Sequence, residues 1–218
     1  VTATREPGGD EVAEKIRNLL SALEHSRGEK AFIRQVEEEI GKLEQVLFRD
    51  EIWAWKLDTG AITVAQAIVE FREKGVPHPE EVTWFLEHIE EMSVPRPEIW
   101  QQVVDLKEKG YRIYLLSNYS QEMFEKHTKG ASFLKVLDGG VISYQIHAIK
   151  PDHEIYETLL KRYDLKPEEC VFLDDRLENV EGGKRAGMEA VQITSREMLH
   201  GLLNQILEAD MGRWKPEK

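Results

Sequence analysis

Four short stretches carry side chains suited to polar chemistry: Ser117-Asn118, Lys150, Asp174-Asp175 and Asn179. The acids end an apolar run, Val171-Phe-Leu-Asp-Asp175. In an open parallel α/β sheet, ligands gather at the carboxyl ends of strands. Adjacent carboxylates there are costly to leave unneutralised, and a hard cation such as Mg²⁺ is their usual counter-charge. Ser117 closes a second apolar run, Leu115-Leu-Ser-Asn118, where a hydroxyl and neighbouring N–H groups can hold a phosphoryl oxygen. Lys150, in Ile149-Lys-Pro-Asp152, could neutralise an attacking carboxylate and a phosphoryl group. Asn179, in the segment leading from Arg176 to Gly187, can orient the two acids. Each group alone has a plainer reading as solvated loop acids, a turn serine or a surface lysine. Their order along the chain argues for a shared site.

The elements that must position them form an alternating pattern. A helix over 98–109 is stopped by Gly110, and a strand over Tyr111–Leu116 follows. After a short helix comes a strand or hairpin through Val136–Ile146. Helix 152–163 carries Ile155, Tyr156, Leu159, Leu160 and Tyr163 in register. Strand Cys170–Leu173, a helix ended by Gly187, strand Ala190–Ile193 and a final helix complete the pattern. Strands alternating with helices predict crossovers and a parallel sheet, hence an α/β fold. The first half reads as all helix, with Val94-Pro-Arg-Pro97 as the hinge, since two prolines disfavour helix there. Val12 to Leu23 and Phe32 to Leu47 show helical spacing. Thr63 with Gln66 predicts a capping box on a helix burying Ala67, Ile68 and Phe71. A further helix after Gly75-Val-Pro-His-Pro79 places Val82, Phe85, Leu86 and Ile89 on one face.

Composition narrows the classes. The 218 residues suffice for one good core, or one core and a small accessory domain. With 41% hydrophobic and 32% charged residues, the chain reads as a soluble globular protein. No apolar run approaches the roughly 18 residues of a membrane span, and a secretory signal pattern is not recognised at the N-terminus. A net charge of −12 without a basic stripe argues against a nucleic-acid backbone as principal ligand. The one cysteine, Cys170, excludes an internal disulfide framework and suits a reducing cytoplasm. At the head of an apolar strand it reads as core filler.

The ordered set of Leu115-Leu-Ser-Asn118, Lys150-Pro151 and Phe172-Leu-Asp-Asp175 with Asn179 resembles the haloacid dehalogenase-like hydrolase superfamily over roughly residues 30–210. Members are mostly Mg²⁺-dependent phosphatases. The resemblance implies a Rossmann-like sheet of order 5-4-1-2-3 with a helical cap, here residues 30–94, over the cleft of an α/β core at 95–218. It also implies phosphate binding by Ser117, Asn118 and Lys150, catalytic roles for Ser117 and Lys150, and Mg²⁺ held by Asp174 and Asp175 with Asn179 in support. The run Trp53-Ala-Trp-Lys-Leu-Asp-Thr-Gly-Ala-Ile-Thr63 is similar to the cap sequence of the branch containing sugar-phosphate phosphatases. Trp53 and Trp55 are candidates to contact a leaving group or to fill the cap core.

The family's first motif, an apolar strand ending in Asp-x-Asp whose first aspartate is the nucleophile, is not found. Asp58-Thr-Gly-Ala-Ile62 mimics part of it, but Trp-Ala-Trp-Lys-Leu is a poor central strand, and Asp10 follows no apolar strand. Phosphoryl transfer needs an attacking atom in line with the leaving oxygen. The same strand would occupy the sheet centre, between those carrying Ser117 and Asp174. Its loss exposes two neighbouring edges, to be filled by residues 1–5 or by another chain. Residues 1–29 form a separate N-terminal helical segment. Within it Thr4-Arg-Glu-Pro-Gly-Gly9 resembles an internal piece of thymidylate kinase, without that family's phosphate-binding glycine loop. A fusion remnant or truncated reading frame joined near Ser26-Arg-Gly28 is expected. The leading expectation is a phosphatase acting on a small phosphorylated metabolite, impaired by the missing nucleophile. A non-catalytic binding or scaffold protein of the same fold is the alternative, then a kinase-related nucleotide binder. Oligomeric state is left open.

Overall fold

The computed structural model describes residues 50–76, 79–88 and 96–209. The helices expected at 12–23 and 32–47, the kinase-like stretch, Ile89 and the first half of the proline hinge lie outside them. The described chain opens with a π-helical segment, Ile52–Leu57. Helices α1 (Val64–Glu73) and α2 (Pro79–Glu87) follow. The Thr63–Gln66 capping box is present in both directions, which fixes where α1 begins. Ala67 and Phe71 are buried, Ile68 partly so. With Ile52, Trp53, Leu57, Val82, Phe85 and Leu86 they form an apolar cluster that also takes in Met123 from the second part.

The second part alternates helices and strands. Helix α3 (Pro97–Glu108) places Pro97 at its first turn, where the missing N–H is not needed. Strand β1 (Tyr114–Ser117) leads to α4 (Gln121–Thr128), then β2 (Gly139–Ile142) and a one-turn helix α5 (Ser143–Ile146). Helix α6 (His153–Arg162), β3 (Val171–Asp174), α7 (Leu177–Arg185), β4 (Glu189–Gln192) and α8 (Arg196–Glu208) complete the order.

Two expected boundaries move. Tyr111–Ile113 is not strand: the Tyr111 N–H closes the end of α3 on Leu106 O, and the Ile113 N–H goes to the Asp138 carboxylate. The segment through Val136–Ile146 is not a hairpin. Gly139–Ile142 pairs parallel with β1, and Ser143 turns at once into helix.

The strands form two parallel pairs, β1 with β2 and β3 with β4, in registers Leu116↔Val141 and Leu173↔Val191. Among the described residues no ladder joins β1 to β3. Carbonyl directions alternate along a strand. Ile113 O accepts from Asp138 N, so Leu116 O, three residues on, faces away from β2. Among the described residues the strands make these two pairs and not a continuous 5-4-1-2-3 sheet. An apolar cluster holding Leu116, Val141, Ile155, Tyr156, Phe172 and Ala190 spans both pairs.

Candidate functional site

Strands β1 and β3 end at Ser117 and Asp174, both about 96% buried, so their carboxyl ends deliver polar groups to a dry region. Lys150 joins them. Its Nζ donates to Leu116 O at 2.8 Å and to Asp174 Oδ2 at 2.7 Å. Nζ also stands 5.6 Å from the centre of the Phe172 ring. With side chains 7% and 4% exposed, Lys150 and Asp174 form a buried ion pair. Such a pair persists only where the remaining donors and acceptors are also matched.

That matching is visible on both sides. The Asn118 side chain brackets the Lys150 peptide: Nδ2 donates to Lys150 O at 2.9 Å, and Lys150 N donates to Oδ1 at 2.8 Å. The Lys150–Pro151 bond is cis. On the other side, Asp174 Oδ1 accepts from Asn179 Nδ2 at 2.8 Å and from the Arg176 N–H at 3.0 Å. The Tyr156 hydroxyl donates to Asn179 O at 2.7 Å, and its ring meets Phe172 edge-on at 5.6 Å. Burial, and then the Asp174 charge, pushes the Tyr156 phenol well above its ordinary range. Helix α7 can approach this closely because residue 182 is glycine: a Cβ there would stand 2.5 Å from the Tyr156 hydroxyl oxygen.

The structure therefore brings together Ser117, Asn118, Lys150, Asp174 and Asn179, with Asp175 adjoining and half-buried. Trp53 lies in the helical layer's apolar cluster, whereas Trp55 is 49% exposed. Asp58 is buried behind the π-helical segment, at no strand end. Cys170 precedes β3, donates its thiol to Lys166 O, and has its pKa raised by burial. Sequence reasoning missed Ser143 and the bracing role of Tyr156. Tyr156 reads only as one member of an apolar stripe, whereas the glycines of the 176–187 segment read as permitting tight helix–strand packing, as Gly183 does against Phe172 and Ala190.

For a hard cation the donors are oxygens: the Asp174 and Asp175 carboxylates and Asn179 Oδ1, which is buried without a hydrogen-bond partner. Among the described residues no group of three or more His, Cys, Asp or Glu could hold a metal ion. One or two carboxylates with substrate phosphate and water are nevertheless what Mg²⁺ commonly uses. The donor set fits that ion with the anion present.

A family model described as haloacid dehalogenase-like hydrolase matches residues 5–187. The chain belongs to the haloacid dehalogenase-like hydrolases. Curated relatives include a pyrophosphatase of Bacillus mycoides, 26% identical over 108 residues, covering 50% of this chain and 50% of that protein. A glyceraldehyde 3-phosphate phosphatase of Methanothermobacter thermautotrophicus is 32% identical over 103 residues, 46% of this chain and 45% of that one. A sesquiterpene phosphatase of Aspergillus oryzae is 32% identical over 90 residues, covering 41% and 46%. The chain spans about half the length of these curated relatives. Among solved structures, a dehalogenase superposes with a TM-score of 0.58 at 21% identity, covering 74% of this chain and 73% of that one. A haloacid dehalogenase-family enzyme of Bacteroides thetaiotaomicron, in complex with magnesium and inorganic phosphate, does so at 0.57 and 20%, covering 72% and 86%. Both likenesses establish the fold. Among the described residues, no helix is long and apolar enough to cross a membrane.

Proposed function

We propose that this haloacid dehalogenase-like hydrolase binds a small phosphorylated metabolite in the cytoplasm, as a phosphatase-type protein with impaired turnover. One observation carries the reading: the Lys150 ammonium, held between Leu116 O and Asp174, lies beside Ser117 at the ends of two parallel strands. The phosphate names of the curated relatives point the same way. In this reading the Ser117 hydroxyl and the Lys150 ammonium bind phosphoryl oxygens. Lys150 also balances carboxylate charge. Asn118 sets the lysine's peptide through its side chain, leaving its second amide hydrogen and its backbone for the ligand. Asp174 and Asp175 would hold Mg²⁺ with Asn179 in support, and the ion, when bound, would offset the charge of the phosphoryl oxygens. Residues 30–94 form the cap over the cleft, and residues 95–218 the core. Residues 1–29 enter this reading as a thymidylate kinase-like remnant.

Among the described residues the one aspartate that closes a strand, Asp174, is committed to Lys150, the Arg176 N–H and Asn179, and no second strand ends in an aspartate. That observation favours a second reading, a binding protein of this fold without turnover. Hydrolysis of p-nitrophenyl phosphate and sugar phosphates with Mg²⁺, wild type against Asp174→Asn, separates the two. Slow metal-dependent turnover abolished by the substitution supports catalysis. Phosphate binding without turnover at any pH supports the binding protein. Neither turnover nor binding sinks both.

A further inference from the structure

Ser143 opens the one-turn helix α5 and is fully buried. Its hydroxyl meets backbone from two distant places. It accepts the Tyr119 N–H at 2.8 Å, and it donates to Asp58 O, in the turn after the π-helical segment, with Tyr119 O also 3.2 Å away. A hydroxyl has one proton, so donation to Asp58 and acceptance from Tyr119 is the assignment that satisfies all three groups closely. The same turn is held twice more. The His147 Nδ1 pairs with Thr59 O at 2.8 Å, and Gly60, at φ +71°, lies so close to Tyr144 that an added Cβ would stand 3.2 Å from it. Tyr119 also packs against the helical layer's cluster, which takes in Met123 of α4. Tyr119 directly follows Asn118, whose side chain brackets the Lys150 peptide.

We propose that Ser143 is a positioning residue: it pins the cap turn Asp58–Gly60 to the loop carrying Ser117 and Asn118, so that cap placement sets the Lys150 peptide. Coupling runs Asp58 O, Ser143 Oγ, Tyr119 N, Asn118 side chain, Lys150 peptide. Every link is a hydrogen bond to backbone or runs through the single residue Asn118. A cap displaced by an occupant would draw on the lysine through this chain, and a cap in place would hold it ready. The consequence for phosphate affinity rests on the reading given under Proposed function; the mechanical coupling does not.

Amide hydrogen exchange of the full chain tests the pin directly, because the Tyr119 and Lys150 N–H groups are themselves links in it. In Ser143→Ala, the amides of Thr59–Ala61, Tyr119 and Lys150 should all exchange about tenfold faster or more, since each loses a partner or its support. Gln102→Leu breaks a buried polar contact between α3 and α8, far along the chain from these groups, and serves as the stability control. It should accelerate none of them selectively. Ser143→Thr keeps the hydroxyl and should restore protection. Acceleration confined to Thr59–Ala61, or a pattern identical to that of Gln102→Leu, overturns the proposal. Should Ser143→Ala not fold, the wild type decides in low urea: the three groups of amides open as one unit with a shared urea dependence if the pin exists, and separately if it does not. In parallel, inorganic phosphate with Mg²⁺ should bind Ser143→Ala about tenfold more weakly than wild type. Equal affinity overturns the positioning role. Absence of phosphate binding by wild type removes the phosphatase reading, and the exchange data still settle the pin.

Discussion

The two strand pairs hold their site groups by opposite means. In the β3–β4 half, Asp174, Arg176 and Asn179 lie within six residues and satisfy one another across a single strand-to-helix turn. In the β1–β2 half, Asn118 and Lys150 are 32 positions apart and are joined by a side chain reading a peptide bond. Local closure sets the acid half's own geometry, with Lys150 and Tyr156 as its partners from elsewhere in the fold. The lysine half exists only once β1, β2 and the segment after α5 have assembled. Among the described residues the halves meet through one buried ion pair, the Tyr156–Asn179 hydrogen bond and two shared apolar clusters, not through a backbone ladder.

Breaking the ion pair should have the largest effect. Lys150→Met strands a buried carboxylate and should cost about 3–5 kcal/mol in urea unfolding, whereas Lys150→Met with Asp174→Leu should recover much of it. A double variant as unstable as the single one would mean that the pair is not what joins the halves. Next come two glycines, one in each half. A Cβ at Gly140 would stand 2.8 Å from both the Leu115 backbone oxygen and its Cβ, and a main chain in a ladder cannot retreat. Gly140→Ala should therefore cost about 3 kcal/mol, the upper end of overpacking. Gly182→Ala clashes instead with the Tyr156 side chain. Being helical, it regains about 1 kcal/mol of propensity, so a net loss of about 1–2 kcal/mol is expected. Equal losses would erase the contrast between the halves.

Tyr156→Phe removes the hydroxyl that braces Asn179 and should cost about 1 kcal/mol near neutrality. Its pH dependence has a defined sign. The phenol's pKa is raised in the folded state by burial and by Asp174, so the unfolded chain releases this proton first. The contribution is complete below the unfolded value of about 10 and is lost as pH rises above it. Unfolding measured from pH 8 to 11 should show a steeper alkaline decline in wild type than in Tyr156→Phe. At the small end, Arg72→Ala removes a solvent-exposed pair with Glu80 and should leave the unfolding midpoint unchanged within error.

The site was legible because it depends on residue type and order: a serine, a lysine and paired acids each end or follow an apolar run. The α/β class was legible from alternation, and the start of α1 from Thr63 and Gln66. Less local features escaped. Tyr111–Ile113 has strand-like composition, but a helix end and the Asp138 side chain take its hydrogen bonds, which no periodicity reveals. The segment 136–146 reads as a strand or hairpin; it holds a strand parallel to β1 and then a one-turn helix, and its two glycines serve close approach, to Tyr163 and to Leu115. Ser143 escaped because nothing in a lone serine says that it will face two backbones 24 and 85 positions away.

The bracket that Asn118 places on the Lys150 peptide has a consequence for insertions and deletions. An amide that reads both the N–H and the C=O of one chosen residue counts chain length. Adding or removing a single residue between Ser143 and Ile149 would present the wrong peptide, and the ammonium would leave the cleft with its backbone. The stretch around Gly130, where an added side chain would meet open space, carries no such ruler. Natural length variation, and any engineered graft, should therefore collect there and spare the seven residues before the lysine.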